Sequence, residues 1–268
     1  MAGAPHLCLH ETGPVVVGAT GGSGTRVVAR IMRAAGLYMG RDLNDSEDAL
    51  PVARLLNSWL NPYLLTRGTP VERCADRVLL VAWRRMLREH LKLEASVPCC
   101  WGWKEPRSLF VLPFLNWAFP SLRFVHLVRD GRDVALGANQ NQLARHGRAF
   151  MGRMPRSWSQ PMRSIALWNR ANLSALDYGE QHLGARYLCL RLEDLCREPV
   201  GAICRMLEFL GAKGDAKTLA RQEVARPASL GRWQVLSEET LGRLESLAHD
   251  GLSRFGYTLI TTHSPVQS

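Results

Sequence analysis

The segment VVVGATGGSGTRVV, residues 15–28, constrains the fold of this chain more than any other stretch of its sequence. Three valines, Val15 to Val17, predict a buried strand, because short β-branched runs are typical of strands covered on both faces. Glycines follow, and the residues after them have the apolar spacing of a helix. Such a turn lets backbone N–H groups and the helix dipole approach an anion. We therefore expect an anion site at Gly21, Gly22, Ser23, Gly24, Thr25 and Arg26.

The loop lacks the lysine of a nucleotide-kinase loop. Such a loop places Gly-Lys-Ser/Thr at the start of its helix and binds a triphosphate with Mg²⁺. Here the chain has Gly22, Ser23, Gly24, Thr25 and Arg26 in this region. A sulfuryl group carries less charge than a terminal phosphoryl group, so a loop of glycines, hydroxyls and arginine suits a sulfuryl group without a metal ion. A P-loop kinase-like phosphotransferase stays the alternative for this loop.

Short apolar segments alternate with helical patterns along the chain. Strands are predicted over residues 14–19, 100–104, 123–128 and 186–190. Helices are predicted over 25–35, 52–60, 72–93, 108–118, 132–139, 162–182, 200–210 and 238–255. This alternation predicts an α/β fold in which helices flank a parallel β-sheet. The sequence contains no repeat or linker-like tract, so we expect a single domain over residues 1–268. Ligands of such sheets bind beyond the carboxyl ends of the strands.

The segment RFVHLVRDGRDVALGANQ, residues 123–140, predicts a second anion site. Its apolar first half is typical of a buried strand. Arg129 and Arg132 follow at the carboxyl end of that strand, and Asp130 is placed to cap the next helix. Two fixed positive charges at this edge of the sheet indicate an anionic ligand.

Together these two segments resemble the sulfotransferases that use 3′-phosphoadenosine 5′-phosphosulfate (PAPS). The Ser-Gly-Thr loop is similar to that family's 5′-phosphosulfate loop, and the Arg129 segment is similar to its 3′-phosphate motif. The resemblance continues in WGWKEPR (101–107), RLEDL (191–195), FLG (209–211) and RPASLGRW (226–233), and is nearest to the bacterial and tyrosylprotein-type branch. It implies a P-loop-like sulfotransferase fold and metal-independent transfer of sulfuryl from PAPS to a hydroxyl, with 3′,5′-adenosine bisphosphate (PAP) as the product.

The resemblance also implies further cofactor-binding positions. These are Arg129, Gly137, Ser229, Arg232 and Trp233. Gly22 and Gly137 depart from the family pattern, which has a basic residue and a serine at these positions. Arg26 or Lys104 would then provide the charge, and Asn139 or Ser229 the hydrogen bond. A protein that binds the nucleotide without turnover is the alternative that these departures leave open.

Three residues are candidates for the chemistry. Lys104 ends the second predicted strand, and we expect its ammonium group near the oxygen of the leaving nucleotide. In tyrosylprotein-type members a catalytic carboxylate lies in the region that corresponds to residues 40–51, which favours Asp48 as the base. Glu105 is the second candidate. We interpret His126, inside the third strand, as a core histidine.

Residues 140–161 are rich in arginine, methionine and tryptophan. We expect this segment to be a long loop that forms part of the acceptor pocket or a lid, with a disordered basic loop as the alternative. The acceptor could be a small molecule, a glycan or a peptide hydroxyl.

Composition limits the remaining possibilities. The formal charge of +10 indicates an anionic partner, and a basic nucleic-acid-binding protein is the non-enzyme alternative, although no nucleic-acid motif is present. The seven cysteines form no C-x-x-C pair, so neither a disulfide framework nor a metal site is expected. The sequence has no apolar run of about 18 residues and no signal-like N-terminus, so we expect no membrane span and a cytoplasmic location.

Overall fold

A computed structural model of the chain describes residues 13–91 and 100–260. Its centre is a parallel sheet in the order β2-β1-β3-β4. The strands are β1 (Val15–Gly18), β2 (Gly102–Lys104), β3 (Arg123–Val128) and β4 (Tyr187–Arg191). The four predicted strands and the predicted parallel sheet are confirmed. Cys8, Cys99 and the last two residues of the predicted helix 72–93 lie outside the described residues.

Helices connect the strands and cover the sheet. They are α1 (Thr25–Ala34), α2 (Leu50–Thr66), α3 (Glu72–Leu91), α4 (Leu112–Ala118), α5 (Gly131–Ala135), α6 (Asn141–Met151), α7 (Gln160–Tyr178), α8 (Leu192–Arg197), α9 (Pro199–Leu210), α10 (Ala216–Glu223) and α11 (Glu238–Arg254). Short 3₁₀ helices span Pro106–Val111, Gly184–Arg186 and Arg232–Val235, and a π-helical turn spans Gly179–Leu183.

Helices cover both faces of the sheet, and successive strand residues point to opposite faces. Val16, Trp103 and Phe124 point to one face, where they pack with residues of α2, α3, α4 and α7. Val17 and Val125 point to the other face, where they pack with α1, α9 and α10. A third cluster joins the end of β3 to α5, α7 and α11. This arrangement leaves the carboxyl ends of the strands as the edge where loops of several elements meet.

The prediction of a long loop over residues 140–161 was wrong for its first half, which forms α6. Leu143, Phe150 and Met151 lie on one side of this helix and pack against the core, so apolar burial holds it in place. Helices α8 and α10 were also not predicted, and the helix predicted over 132–139 ends at Ala135.

Several chemical features of the described residues bear on the expectations above. Among these residues no helix has both the length and the apolar character needed to cross a bilayer. Over the same ranges, no cluster of three or more His, Cys, Asp or Glu side chains could hold a metal ion. Cys74, Cys189, Cys196 and Cys204 form no disulfide.

Candidate active site

A cavity of about 820 Å³ opens at the carboxyl ends of β1 and β2. Its walls come from five parts of the chain: the glycine loop after β1, the loop that leads into α2, the end of β2, the first turns of α6, and residues 223–227. The predicted site residues Gly21, Gly22, Gly24, Thr25, Arg26, Asp48, Lys104 and Glu105 all line it. The structure therefore brings the predicted phosphosulfate loop and all three candidate catalytic residues to one cavity.

The glycine loop needs glycine at two positions. Gly22 and Gly24 have φ angles of 81° and 82°, a left-handed conformation that L-residues with side chains rarely adopt. Gly24 is also the N-cap of α1. In the described chain the backbone N–H groups of residues 22–26 donate to no protein acceptor, as is usual for the first turn of a helix. Gly22, Gly24, Thr25 and Arg26 line the cavity, so this loop provides backbone donors at its wall, whereas Ser23 is buried and does not line it.

Gln142 of helix α6 stabilises the same loop through two hydrogen bonds. The Gly21 N–H donates to Gln142 Oε1 at 2.9 Å, and Gln142 Nε2 donates to the carbonyl of Ala19 at 3.3 Å. One amide side chain thereby fixes both ends of the turn that leaves β1. Gln142 was not predicted as a site residue, because its role depends on tertiary packing over a long sequence separation.

Lys104 lies at the end of β2 with only 1% of its surface exposed. Its ammonium group donates to Asp48 Oδ1 at 2.5 Å and to the carbonyl oxygen of Ser46. Burial lowers the pKa of Lys104 from its ordinary value, and the neighbouring Asp48 carboxylate acts in the opposite direction. A lysine held in this way is a fixed, largely desolvated cation in the wall of the cavity.

A turn organised by Asn44 positions the Asp48 carboxylate. Asn44 Oδ1 accepts the backbone N–H groups of Ser46 and Asp48, each at 2.9 Å, and Asn44 Nδ2 donates to Asp48 Oδ2 at 3.0 Å. This is the local geometry that asparagine favours in turns. The Ala49 N–H donates to the carbonyl of Lys104 at 2.9 Å, and this hydrogen bond joins the turn to the end of β2.

Glu105 is fully engaged with Arg107. Its Oε2 accepts the Arg107 backbone N–H at 2.8 Å, and its Oε1 accepts Arg107 Nε, also at 2.8 Å. Burial raises the pKa of Glu105, and Arg107 partly offsets this effect. The carboxylate caps the 3₁₀ helix that begins at Pro106 and orients the Arg107 guanidinium.

Arg129 connects the two predicted anion-binding turns. It is 4% exposed, and its Nη1 donates to the carbonyl of Gly22 at 3.3 Å. Its Nη2 donates to Asp133 at 3.0 Å and to the backbone carbonyl of Ser229. The glycine loop and the end of β3 therefore lie side by side at one rim of the sheet. Arg129 lies behind the glycine loop and not on the wall of the large cavity.

The other predicted cofactor positions gather around Asp133. Its carboxylate accepts the backbone N–H groups of Gly231 at 2.8 Å and Trp233 at 3.3 Å. Arg232 Nη1 donates to the carbonyl of Leu136 at 3.4 Å, next to Gly137. Gly137, Ser229, Arg232 and Trp233 thus form one cluster with Arg129, beside the cavity that holds Lys104.

Arg132 does not contribute to an anion site, so the expectation of two arginines facing a ligand was wrong for this residue. Its guanidinium is buried, forms ion pairs with Asp130 at 2.8 Å and with Glu245, and stacks on the Trp233 ring at 3.7 Å. These carboxylates neutralise its charge, and its role is structural. His126 is buried between Tyr187 and Asn172, in agreement with its interpretation as a core histidine.

Several cavity residues were not predicted individually as site residues, although Arg145 and His146 belong to residues 140–161, the segment expected to form part of the acceptor pocket or a lid. Arg226, Arg107 and Arg145 bring positive charge to the cavity wall, and Asn57 and His146 add polar atoms. Arg107 and Arg226 belong to sequence motifs that resemble the sulfotransferase family, so the signal for them was present. Asn57 lies in a helix with no recognisable motif, and no sequence signal pointed to it.

Comparison with known proteins assigns the chain to a family. The profile of the sulfotransferase family matches residues 14–215, and the chain belongs to this family. This result does not favour the kinase-like alternative. No curated protein sequence matches the chain.

Solved structures share the fold at low sequence identity. The sulfotransferase domain of the curacin biosynthetic pathway is 14% identical, with a TM-score of 0.57 over 93% of this chain and 99% of that one. The sulfotransferase domain of the Synechococcus PCC 7002 olefin synthase is 18% identical, with a TM-score of 0.53 over 96% and 98% of the two chains. Mouse sulfotransferase SULT7A1, complexed with PAP, is 12% identical, with a TM-score of 0.52 over 90% and 84%. The P-loop-like sulfotransferase fold is thereby confirmed.

Proposed function

We propose that this protein is a PAPS-dependent sulfotransferase that transfers the sulfuryl group to a hydroxyl of its acceptor. One observation carries the proposal: a single cavity joins a glycine loop with unpaired N–H groups to a buried lysine that is paired with a carboxylate. Membership of the sulfotransferase family and the PAP bound to the structurally similar mouse enzyme support it.

The residues present fit an anionic nucleotide. Thr25 and the N–H groups of residues 22–26 would hold the phosphosulfate, and Arg26, at the same end of α1, would add charge. Arg226 also lines the cavity, and its charge acts on Cys196 of α8, the helix that follows β4 at the edge of the sheet opposite β2 and Lys104. We assign the nucleoside part of PAPS to this end of the cavity. Arg129 and the cluster around Asp133 lie next to this loop, and we assign the 3′-phosphate to their neighbourhood.

Sulfuryl transfer needs a positioned acceptor oxygen and stabilisation of the leaving oxygen. In the proposed reaction, a bond forms between the acceptor oxygen and sulfur, and the bond between sulfur and the bridging oxygen of PAPS breaks. The hydroxyl proton passes to Asp48, and PAP retains the electron pair of the broken bond. Lys104 stabilises the negative charge that develops on the bridging oxygen, which is the kind of effect that dominates many transfer reactions.

Asp48 fits the role of base better than Glu105. The Asp48 side chain is 19% exposed and lines the cavity, so an acceptor hydroxyl can reach it. The Glu105 side chain is only 4% exposed, and both of its oxygens are bound by the single partner Arg107. We therefore assign Glu105 a positioning role for Arg107.

Ligand-dependent stabilisation tests the nucleotide site. PAP at 100 times its Kd is expected to stabilise the fold by roughly 2.7 kcal/mol, measured as a shift in thermal unfolding. ATP with Mg²⁺ is the comparison ligand, and stabilisation by ATP–Mg²⁺ alone would overturn the proposal. Arg129→Lys, which keeps the charge beside Asp133, is expected to reduce the PAP shift. Arg148→Lys, on the exposed side of α6, is the matched control.

Sulfuryl transfer itself is measured with labelled PAPS and pools of hydroxyl compounds, with label in any acceptor as the expected result. Binding of PAP without transfer to any pool would favour a nucleotide-binding protein without turnover. Binding of any polynucleotide with a steep salt dependence would favour the nucleic-acid alternative. The cytoplasmic location and the single-domain organisation stay predictions of the sequence.

A further inference from the structure

The cavity continues past Lys104 into a cleft between α2 and α6. Leu50, Ala53 and Asn57 are spaced by three or four residues, which places them on one side of α2, and all three line the cavity. Arg145 and His146 line it from α6. β2 is one edge strand of the sheet and β4 is the other. The cleft lies beside the end of β2, whereas Arg226 lies near enough to Cys196 of α8, the helix after β4, for its charge to act on that thiol. With the nucleotide assigned to the Arg226 end, this cleft is the part of the cavity that is left for the acceptor.

Two arginines converge at this end. Arg107 Nη1 donates to Asn57 Oδ1 at 2.7 Å, and Arg145 Nη1 donates to the same oxygen at 3.3 Å. Glu105 partly balances the charge of Arg107. Arg145 forms no ion pair with a carboxylate in the described ranges 13–91 and 100–260. Both guanidinium groups thus donate to one neutral amide oxygen, and Arg107 Nη2 also donates to the carbonyl of Ala53 at 3.1 Å. One paired carboxylate, that of Glu105, offsets two positive charges, which leaves an excess of positive charge.

The positive charge of these two arginines affects the pKa of the neighbouring His146. Asn61 Nδ2 donates to the carbonyl of Arg145 at 2.9 Å, so Asn61 Oδ1 is the atom that accepts His146 Nδ1–H at 2.7 Å. The pKa of His146 is lowered to about 4, first by burial and then by the charges of Arg107 and Arg145. The imidazole is neutral at pH 7. Its Nε2 is a buried acceptor with no hydrogen-bond partner among the described residues.

We propose that the acceptor carries an anionic group, a carboxylate or a phosphate, which Arg107 and Arg145 bind while its hydroxyl lies at Asp48. This inference rests on the proposed sulfotransferase function and specifies its acceptor. An anion between the two guanidinium groups relieves their repulsion and forms charge-assisted hydrogen bonds with both. An uncharged acceptor leaves the charges unbalanced.

Matched acceptor pairs test the proposal, each differing in the anionic group alone. They are 4-hydroxyphenylacetate with its amide, 3-hydroxybutyrate with its amide, and glucose 6-phosphate with glucose. Transfer from labelled PAPS by the full-length protein is expected to show kcat/KM about 10- to 100-fold higher for the anionic member of at least one pair. If no pair gives product, the same compounds are titrated calorimetrically into the PAP-saturated protein, with the same preference expected.

Arg145→Gln is the informative variant because its side chain is exposed, whereas loss of Arg107 would leave buried Glu105 without its partner. The variant is expected to lose most of the preference through a higher KM for the anionic member. Arg148→Gln, one turn along α6 and away from the cavity, is the matched control and is expected to keep the preference.

The two proposals fail in different ways. Equal kcat/KM or equal affinity within every pair would overturn the anionic-acceptor proposal and leave sulfotransferase activity standing. A preference that survives in Arg145→Gln would also overturn it. Absence of both PAP-dependent stabilisation and sulfuryl transfer would instead overturn the proposed function.

Discussion

Lys104 and Asp48 form an ion pair of 2.5 Å that joins the end of β2 to the loop before α2. The two residues are 56 positions apart, and a backbone hydrogen bond from Ala49 to the Lys104 carbonyl holds their segments together. The pair places a cation and a carboxylate at one point of the cavity, between the glycine loop and the cleft of α2 and α6. The cation would stabilise the leaving oxygen and the carboxylate would accept the proton.

Lys104→Ala is expected to lower kcat about 10²- to 10³-fold, because it removes the charge that stabilises the leaving oxygen. PAP should still stabilise the variant, since the glycine loop and Arg226 are unchanged. Single-turnover transfer from labelled PAPS measures the effect. Lys217→Ala, an exposed lysine of α10, is the control and should have normal kcat. A Lys104→Ala enzyme with normal kcat would remove Lys104 from the proposed chemistry.

Asp48→Asn is expected to lower kcat about 10²- to 10⁴-fold by removing the base. The pH profile gives a second readout. Burial lowers the pKa of Lys104, and the Asp48 carboxylate raises it. Without that carboxylate, Lys104 loses its proton at a lower pH, so the alkaline fall of the residual activity should move to lower pH. Asp45→Asn, in the same loop, should leave both kcat and the profile unchanged. An unchanged alkaline limb in Asp48→Asn would contradict the assignment of that limb to Lys104.

The sheet could be predicted from the sequence because each strand is short, apolar and covered on both faces. Val15 to Val17 and the segment Arg123–Val128 carry this pattern without competing signals. Helix α6 could not be predicted from the sequence, because its apolar side is narrow. Leu143 and Phe150 are interrupted by Gly147 and flanked by arginines, and tertiary packing of this side outweighs the weak local preference.

The residues of the site also differ in whether the sequence predicts them. Motifs that are continuous in sequence gave the glycine loop, Lys104 and Asp48. Gln142 contacts Gly21 across 121 positions, and Arg145 contacts Asn57 across 88. No local pattern encodes such contacts, because they depend on how α6 packs against the sheet and α2. The glycine loop, Lys104 and Asp48 were therefore predictable as individual residues. Residues 140–161 were predicted only as a segment of the acceptor pocket or a lid, without the contact between Arg145 and Asn57.

Arg226→Gln tests the nucleotide end of the cavity. Arg226 is exposed and lines the cavity, and it forms no ion pair with the described part of the chain. The substitution is expected to weaken PAP binding about tenfold, as loss of a charge-assisted hydrogen bond does, with an unchanged Tm of the free protein. Calorimetric titration of PAP measures the change, with Arg221→Gln on α10 as the control. Equal PAP affinity in both variants would place the nucleotide elsewhere.

The buried His126 predicts how stability depends on pH. Asn172 Nδ2 donates to the Trp168 carbonyl at 2.7 Å, so Asn172 Oδ1 accepts His126 Nε2–H at 2.8 Å, and His126 Nδ1 accepts the Tyr187 hydroxyl at 2.6 Å. Burial lowers the pKa of His126 from 6.5 to about 4. Between these values the unfolded chain binds the proton and the folded chain does not, so stability falls as pH decreases through this window.

His126→Gln keeps a donor for Asn172 but cannot titrate. The loss of unfolding free energy between about pH 7 and pH 4 should therefore be smaller in this variant than in the native chain, by up to about 3 kcal/mol. Urea unfolding at several pH values measures the difference, and each variant is compared with its own stability at neutral pH. His249→Gln, an exposed histidine, should keep the native dependence. Parallel pH curves for His126→Gln and the native chain would show that His126 is not held in its neutral form.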